Sequence, residues 1–360
     1  MGDITWNLRR FEEGDKEKII ALRKIVFKDE DKDKEELEFW DWEFEGNYAG
    51  PANVFLAADQ EKVVGHYAVC PANILVNSEI KKGSIVVDVM THPEYRFQGM
   101  FAKIGQYSLD ESGKDGIDFS YGFPIRKTVM PGHLKVGWKI AFKLPVYIYP
   151  ISFAQIVEKF IPVKAVAVVL GFIPQLIYGV IGKVRTSCSP KYEIKESDRF
   201  EDTPELEEFV HKTKSQHKIM QYRNYDFLNW RYNTNKYRKY KIFSIYGNEG
   251  EMLGYIVLRK TVIYGLDCIT IIDIQALQFN RRVINALLRC AHKYAKECKV
   301  ALVGCMINQS RYKRRMLANL YIKSPYVFKF IVHRNRDIDY EDDILKNTNW
   351  HITWADTDDL

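Results

Sequence analysis

The stretch "YRFQGMF", residues 95–101, places a cation, Arg96, and a single glycine, Gly99, directly after an apolar run typical of a strand. His92 and Pro93 end that strand, and a helix is predicted to begin near Gly99. Free N–H groups at a helix N-terminus bind anions, above all phosphates. A glycine lets the backbone approach such a ligand closely. The stretch therefore predicts a phosphate-binding loop between a strand and a helix.

The strand before this loop, "SIVVDVM", alternates in polarity. Alternation predicts two faces: one carries Ser84, Val86, Asp88 and Met90, and the other carries Ile85, Val87 and Val89. A carboxylate between valines must be paired or used, because an isolated buried charge is costly. Asp88 is therefore a candidate for either a structural ion pair or chemistry.

Composition limits the class of protein. The 360 residues are 46% hydrophobic and 28% charged, which indicates a globular chain rather than a disordered one. The net charge of +6 suits an anionic ligand, but it is too small for a dedicated nucleic-acid binder. The cysteines and histidines are dispersed without metal-ligand spacing, so we expect no metal and reduced thiols in the cytoplasm. The N-terminus does not resemble a signal peptide.

One apolar segment, residues 165–182, carries no charge and is interrupted by Pro174 and glycines. Its length is at the lower limit for a membrane span. A buried connecting helix is the favoured interpretation, and contact with a membrane surface is the alternative.

The sequence also repeats itself. "FWDWEF" corresponds to "FLNWRY", "KVVGHYAV" to "EMLGYIVL", and "VVDVM" to "IIDIQ", in the same order and at a nearly constant offset. This pattern indicates a tandem duplication. We predict a first domain at residues 1–150, an apolar connecting segment at 151–190 and a second domain at 191–360.

Each repeat predicts the same elements: a short strand, two helices, a hairpin, the strand with Asp88 or Asp273, a helix, a further strand and a last helix. The helices are predicted at 15–28 and 99–112, and again at 203–214 and 280–297. The fold class is α+β, with a mixed, mostly antiparallel sheet flanked by helices in each unit.

At the loop, the chain resembles the GCN5-related N-acetyltransferases (GNATs), in which a strand, the motif R/Q-x-x-G-x-G/A and a helix follow one another. Arg96 and Gly99 match the first and fourth motif positions, whereas Phe101 replaces the small sixth residue. The hairpin before the motif and "DFSYGFP" after it fit the same order. The whole chain is similar to a tandem member of this superfamily.

The resemblance implies an acyl-CoA co-substrate, acetyl-CoA or another, in the first unit. The strand end would bind pantetheine and the loop amides would bind pyrophosphate. The implied binding residues are Met90, Thr91, His92, Arg96, Phe97, Gln98, Gly99, Met100 and Phe101. The second unit has no glycine at the equivalent place, and Phe279 is expected to occupy the phosphate position. One CoA site is therefore expected, beside a degenerate second GNAT-like unit.

Acyl transfer to an amine needs a base for the amine, a donor for the oxyanion and an acid for the thiolate. The candidate base is Asp88 and the candidate acid is Tyr121, on the next strand. Asp273 repeats Asp88 in the unit without a phosphate loop, so a structural role for both is equally open.

We therefore expect an N-acyltransferase, most simply an N-acetyltransferase, that acts on the amine of a small molecule or amino sugar. A tRNA-dependent aminoacyl transferase of the peptidoglycan-bridge type and a non-catalytic acyl-CoA-binding module are the alternatives. Nucleic acid is not the expected partner, and the oligomeric state is open. The acidic tail "TWADTDDL" is expected to extend into solvent, with folding back over the cleft as the alternative.

Overall fold

The computed structural model describes residues 5–28, 30–126, 128–159, 192–263 and 265–358. These residues form two compact units. The apolar segment at 165–182, with its expected membrane contact, lies outside the described residues. Within the described ranges, no helix has the length and apolarity needed to cross a membrane.

The first unit comprises the described residues up to Lys143, together with Ile219–Tyr222 and Phe328–Asn349. Its sheet has the strand order β1, β2, β3, β4, β5, β13. All neighbours are antiparallel except β4 and β5, which are parallel. The strands are β1 (Asn7–Arg10), β2 (Asn53–Asp59), β3 (Lys62–Val76), β4 (Glu79–Thr91), β5 (Phe119–Gly122) and, from residue 328 onward, β13 (Ile322–Arg334). The short strand β8 (Ile219–Gln221) pairs with the end of β3.

Helices cover both faces of this sheet. Against one face, α3 (Met100–Lys114) buries Met100 and Ile104 in a cluster with Phe55 and Tyr67. Against the other, α1 (Lys16–Phe27) and α2 (Leu37–Trp40) bury apolar side chains in a second cluster. Two further short helices are α4 (Met130–Lys135) and α10 (Glu341–Ile344).

The second unit comprises the described residues within Leu144–Lys218, Arg223–Val327 and Trp350–Leu360. Its sheet has the strand order β6, β12, β11, β10, β9, β7, and the pair β11 and β12 is parallel. The strands are β6 (Lys139–Pro150, from residue 144 onward), β7 (Glu193–Ser197), β9 (Lys241–Tyr246), β10 (Met252–Ile263), β11 (Leu266–Ala276) and β12 (Leu302–Met306); β14 (Trp350–His351) follows near the C-terminus. The helices are α5 (Phe153–Glu158), α6 (Pro204–Thr213), α7 (Tyr225–Leu228), α8 (Arg281–Glu297) and α9 (Ser310–Ala318).

Apart from the short strand β8, the elements that follow β1 and those that follow β7 come in the same order along the sequence, as the repeat predicts. Even an irregular feature recurs: a single π turn follows α2 at Asp41–Glu45 and α7 (Tyr225–Leu228) at Asn229–Asn233. The helices predicted near Gly99 and Asn280 are observed as Met100–Lys114 and Arg281–Glu297. The α+β class, with a mixed and mostly antiparallel sheet in each unit, is confirmed.

The units are interleaved along the sequence in a way that the predicted contiguous domains do not describe. In the first unit, β5 pairs with residues 331–334 of β13, which belong to the second repeat. In the second unit, β12 pairs with residues 146–150 of β6, which belong to the first repeat. Each sheet therefore includes a strand contributed by the other half of the chain.

This exchange predicts that residues 1–150 do not fold alone. The fragment lacks the partner of β5, and it lacks Phe330 and Ile331, which are fully buried in the first unit. Unpaired sheet edges and missing core residues favour aggregation. We expect no cooperative thermal transition by circular dichroism for this fragment. A fusion of residues 1–143 to 328–349 through a flexible linker should recover one, and a cooperative transition in the unfused fragment would contradict the exchange.

Candidate functional site

In the first unit, the parallel strands β4 and β5 separate after three paired residues. Gly83, Ser84 and Ile85 pair with Phe119, Ser120 and Tyr121. Strand β4 then continues to Thr91, whereas β5 ends at Gly122. The β5-facing edge of β4 from Val86 onward therefore has no strand partner among the described residues. We call the space beside this free edge of β4 the wedge. Because buried N–H and C=O groups require partners, the wedge is a place for an extended polar ligand.

A β-bulge lies on β4 at the start of this wedge. Asp88 has a left-handed backbone conformation, with φ of 45°, and the register with β3 shifts between His66 and Ala68. The bulge reverses the side-chain alternation: Val86 packs on the α3 side, whereas Met90 packs with Val87 on the opposite side. The prediction that Val86 and Met90 share one face is therefore wrong, because one extra residue flips the pattern.

The loop between β4 and α3 is fixed by side chains at its two ends. The Tyr95 hydroxyl donates to the Asp59 carboxylate at 2.7 Å. The Trp6 indole N–H donates to Gln98 Oε1 at 3.0 Å. The His92 N–H donates to the Val64 carbonyl at 2.8 Å, and this bond extends the pairing of β4 with β3 to the start of the loop. The loop is thus preorganised on β2, on β3 and on Trp6 directly before β1, although none of these anchors was predicted from the sequence.

The first turn of α3 leaves donors free for a ligand. Its N-cap is Gly99, with φ of 77° and no side-chain cap. The first α-helical hydrogen bond runs from the Lys103 N–H to the Gly99 carbonyl, so the three N–H groups of residues 100–102 precede the helical ladder. A Cβ on Gly99 would meet no heavy atom within 4 Å, so the loop surface there is open. Arg96 to Gly99 are exposed, as an anion-binding loop requires.

Phe101, which departs from the motif, turns away from this loop. Its ring meets His133 of α4 edge-on, with centroids 5.0 Å apart. A Cβ on Gly132 would collide with the Phe101 ring, so the glycine in "MPGHL" makes room for it. Burial lowers the pKa of His133 to about 4, so this histidine is neutral at pH 7. The bulky sixth residue is therefore accommodated by α4.

Asp88 is engaged in a buried ion pair. Its carboxylate accepts from Arg23 Nη1 at 2.7 Å, and Lys34 Nζ lies 4.0 Å away. Burial alone would raise the pKa of Asp88, but the Lys34 and Arg23 charges together lower it. Its backbone carbonyl also lies 2.6 Å from His66 Nδ1. These contacts fix the bulge, and they make the carboxylate a weak proton acceptor.

Tyr121 lies on β5 at the point where the two strands separate, opposite Ile85. Its side chain is 2% exposed, and its ring is 5.7 Å from the Phe330 ring and 6.0 Å from the Phe123 ring. The structure thus gathers the predicted binding residues, Met90 to Phe101, along one strand end, one loop and one helix start. It places Asp88 and Tyr121 beside the wedge, on β4 and β5.

Replacing Asp88 by Asn should lower the free energy of unfolding by about 3 kcal/mol, because Arg23 and Lys34 then lose a buried counter-charge. Since the folded-state pKa of Asp88 is lowered, its contribution is complete above the unfolded-state pKa of about 3.9 and is lost as the pH falls below it. Urea unfolding between pH 7 and 3 should therefore show a shallower acid dependence for Asp88→Asn.

The matched control is Glu61→Gln, a carboxylate whose side chain is 96% exposed and pairs with Lys18 at 3.4 Å. This variant should stay within about 0.5 kcal/mol of the parent protein. Equal stabilities of Asp88→Asn and the control would contradict the structural role of the ion pair.

The second unit has the same wedge, but protein fills it. Strands β11 and β12 pair only as far as Ile271 and Cys305, and β11 continues to Ala276. The Ala276 N–H at the free edge donates to the hydroxyl of the fully buried Tyr312 at 2.8 Å. A ligand that used this backbone group would have to displace Tyr312.

The helix after β11 also has two of its first N–H groups occupied by protein. The Asn280 side chain caps α8 by accepting from the N–H groups of Arg282 and Val283. Phe279 was expected to point into the phosphate position, but it is only 8% exposed and packs on His217 and Tyr312. Side-chain capping, rather than the phenyl ring, therefore replaces the anion site.

The C-terminal segment closes the second unit, so the expectation of a solvated tail is wrong. Residues 350–356 are buried. Arg223 donates to Asp273 at 3.0 Å and to Asp356 at 2.8 Å, and Thr353 donates to Asp273 at 3.0 Å. Asp273 therefore holds the tail through Thr353 and Arg223. The acidic composition of the tail suggested solvent exposure, but it does not reveal this buried network.

Two comparisons with known proteins identify the fold. Residues 7–141 match the family model described as "Acetyltransferase (GNAT) domain". A solved GCN5-related N-acetyltransferase from Anabaena variabilis has a TM-score of 0.65 at 12% identity, over 92% of this chain and 73% of that one. A probable N-acyltransferase from Enterococcus faecalis scores 0.63 at 12% identity, with the same two coverages.

Saccharomyces cerevisiae N-myristoyltransferase with bound myristoyl-CoA scores 0.60 at 8% identity, over 94% of this chain and 85% of that one. A comparison with curated protein sequences finds no match. Residues 7–141 therefore match the GNAT domain model, and the solved structures show that their fold is shared by this chain over more than nine-tenths of its length. The predicted resemblance is confirmed, and its departure at Phe101 is explained by Gly132.

Proposed function

We propose that the first unit binds an acyl-CoA and transfers its acyl group to an amine. The chain would then be an acyl-CoA-dependent N-acyltransferase, most simply an N-acetyltransferase acting on a small-molecule amine or amino sugar. The observation that carries the proposal is the junction of two features: the strand edge from Val86 to Thr91 without a partner, and the uncapped start of α3 directly after it.

The pyrophosphate of CoA fits the start of α3. The N–H groups of Met100, Phe101 and Ala102 point out of the first turn, and Gly99 leaves the approach open. The exposed Arg96 adds a positive charge to the partial charge of the helix N-terminus. The loop anchors hold this arrangement before a ligand arrives, which lowers the cost of binding.

The pantetheine arm fits the wedge. It carries amide groups, and an amide-bearing chain alongside β4 can pair with the N–H and C=O groups of Val86 to Thr91 as a strand would. Binding at the loop and along this edge directs the thioester toward the separation point at Ile85 and Tyr121. The myristoyl-CoA named for the yeast enzyme supports a thioester of CoA as the ligand class for this fold.

The reaction conserves atoms without a further reactant. The neutral amine attacks the thioester carbonyl carbon, a C–N bond forms, and the C–S bond breaks to release the CoA thiolate. One proton leaves the amine nitrogen and one proton is taken up by the thiolate. A backbone N–H of the free β4 edge is the proposed donor to the oxyanion.

Asp88 and Tyr121 remain the candidates for moving these protons. Tyr121 lies where the thiolate would leave, and its hydroxyl is the proposed acid. Asp88 is the proposed base, yet its ion pair with Arg23 and its lowered pKa favour the structural role. If it is the base, Asp88→Asn should lower kcat at every pH at which the variant stays folded. A kcat that follows only the folded fraction would assign Asp88 to the fold.

Gly99→Glu should abolish acetyl-CoA binding measured by isothermal titration calorimetry, because a carboxylate would enter the pyrophosphate position. Gly99→Ala is the matched control, since it imposes the same strain at φ of 77° without charge and meets no clash. It should lose about 10-fold in affinity or less, from about 1 kcal/mol of strain. Unchanged affinity in Gly99→Glu would remove the loop from the binding site.

A non-catalytic acyl-CoA-binding module is the second candidate. The observation that favours it is the ion pair between Asp88 and Arg23. The candidate base is already paired, so binding without catalysis is the simpler role. Thiol release from acetyl-CoA, measured with a panel of primary amines, separates the two. Release that depends on an amine supports the transferase, whereas tight binding with no release from any amine supports the module.

A further inference from the structure

Phe97 occupies an unusual position in the loop. It is fully exposed, more so than any other large hydrophobic side chain among the residues that the structure describes. Its backbone is left-handed, with φ of 65°, a conformation that is uncommon and unfavourable for a bulky residue. Neither the exposure nor the conformation is accounted for by packing within the first unit.

The neighbours of Phe97 hold it outward. Tyr95 is hydrogen-bonded to Asp59 and Gln98 to Trp6, so the loop is tied down on both sides of Phe97. The ring projects from the same loop whose following amides are the proposed pyrophosphate site. A strained and exposed aromatic that the surroundings hold in place indicates a binding role.

We propose that Phe97 stacks on the adenine ring of CoA. This inference rests on the proposed function, since it assumes a CoA nucleotide at the loop. The nucleotide is joined directly to the pyrophosphate, so its base must lie outside the wedge, near the loop surface. A phenyl face offers a purine base a stacking surface that needs no hydrogen-bond partner. Phe97 is thus a specificity residue for the nucleotide half of the co-substrate.

The test compares two ligands by calorimetry: acetyl-CoA, and acetyl-4′-phosphopantetheine, which lacks the whole 3′-phospho-AMP half of CoA and keeps one phosphate of the pyrophosphate. Phe97→Ala should weaken acetyl-CoA binding about 10-fold, the size expected for one stacked base. It should leave acetyl-4′-phosphopantetheine binding unchanged. Phe97→Trp should retain the affinity for acetyl-CoA, whereas Phe97→Leu should lose it, because the ring and not apolarity alone is needed.

Phe97→Gly adds a readout that a merely surface residue would not produce. Glycine relieves the left-handed strain, so this variant should melt at a higher temperature while binding acetyl-CoA more weakly. Ile80→Ala is the control: Ile80 is exposed at the opposite end of β4, and its replacement should change neither affinity.

The outcomes are distinguishable. Equal losses of affinity for both ligands would show that Phe97 only shapes the loop. No loss of affinity for either ligand would show that Phe97 takes no part in binding. Both results would overturn the stacking role while leaving acyl-CoA binding in place. Absence of acetyl-CoA binding in the parent protein would overturn the proposed function and the stacking role together.

Discussion

The free edge of β4 is the constraint on which the first unit depends. A central strand cannot leave its backbone groups without partners unless something else supplies them. The bulge at Asp88 lies on the stretch of β4 that has this free edge, and the Arg23 and His66 contacts hold the bulge. The loop anchors then place an uncapped helix start directly beyond the edge. The free strand edge and the uncapped helix start therefore follow one another directly, and the proposed ligand, with an amide arm and a phosphate end, depends on this order.

In the second unit, side chains of the protein itself pair with the corresponding backbone groups. Tyr312 takes the edge amide of Ala276, Asn280 caps the helix, and Thr353 brings the tail onto Asp273. The two aspartates at corresponding positions thus have different partners: Asp88 pairs with an arginine of α1, and Asp273 belongs to a network with the tail. The two sheets are alike, and local side chains decide which of them keeps an open wedge.

Local patterns in the sequence predict much of this architecture. The hairpins and the helix that begins after Gly99 depend on contacts near in sequence, and both are observed. The strand exchange, the buried tail and the accommodation of Phe101 by Gly132 depend on residues far apart in the chain or on packing, which no local pattern encodes. The sequence also does not predict the bulge. A valine-rich strand shows no sign of an extra residue until its register with the neighbouring strand is known. The stretch "MPGHL" did contain a usable signal, since a glycine in the interior of an element often marks the close approach of another group.

The most direct test of the account is the stoichiometry of acetyl-CoA binding to the parent protein, measured by isothermal titration calorimetry. One molecule per chain is the predicted result, because the corresponding edge amide and helix N–H groups of the second unit are occupied by Tyr312 and Asn280. Two molecules per chain would contradict the closure of the second unit by Tyr312, Asn280 and the tail. No binding would contradict the central claim that the free edge of β4 and the start of α3 together form an acyl-CoA site.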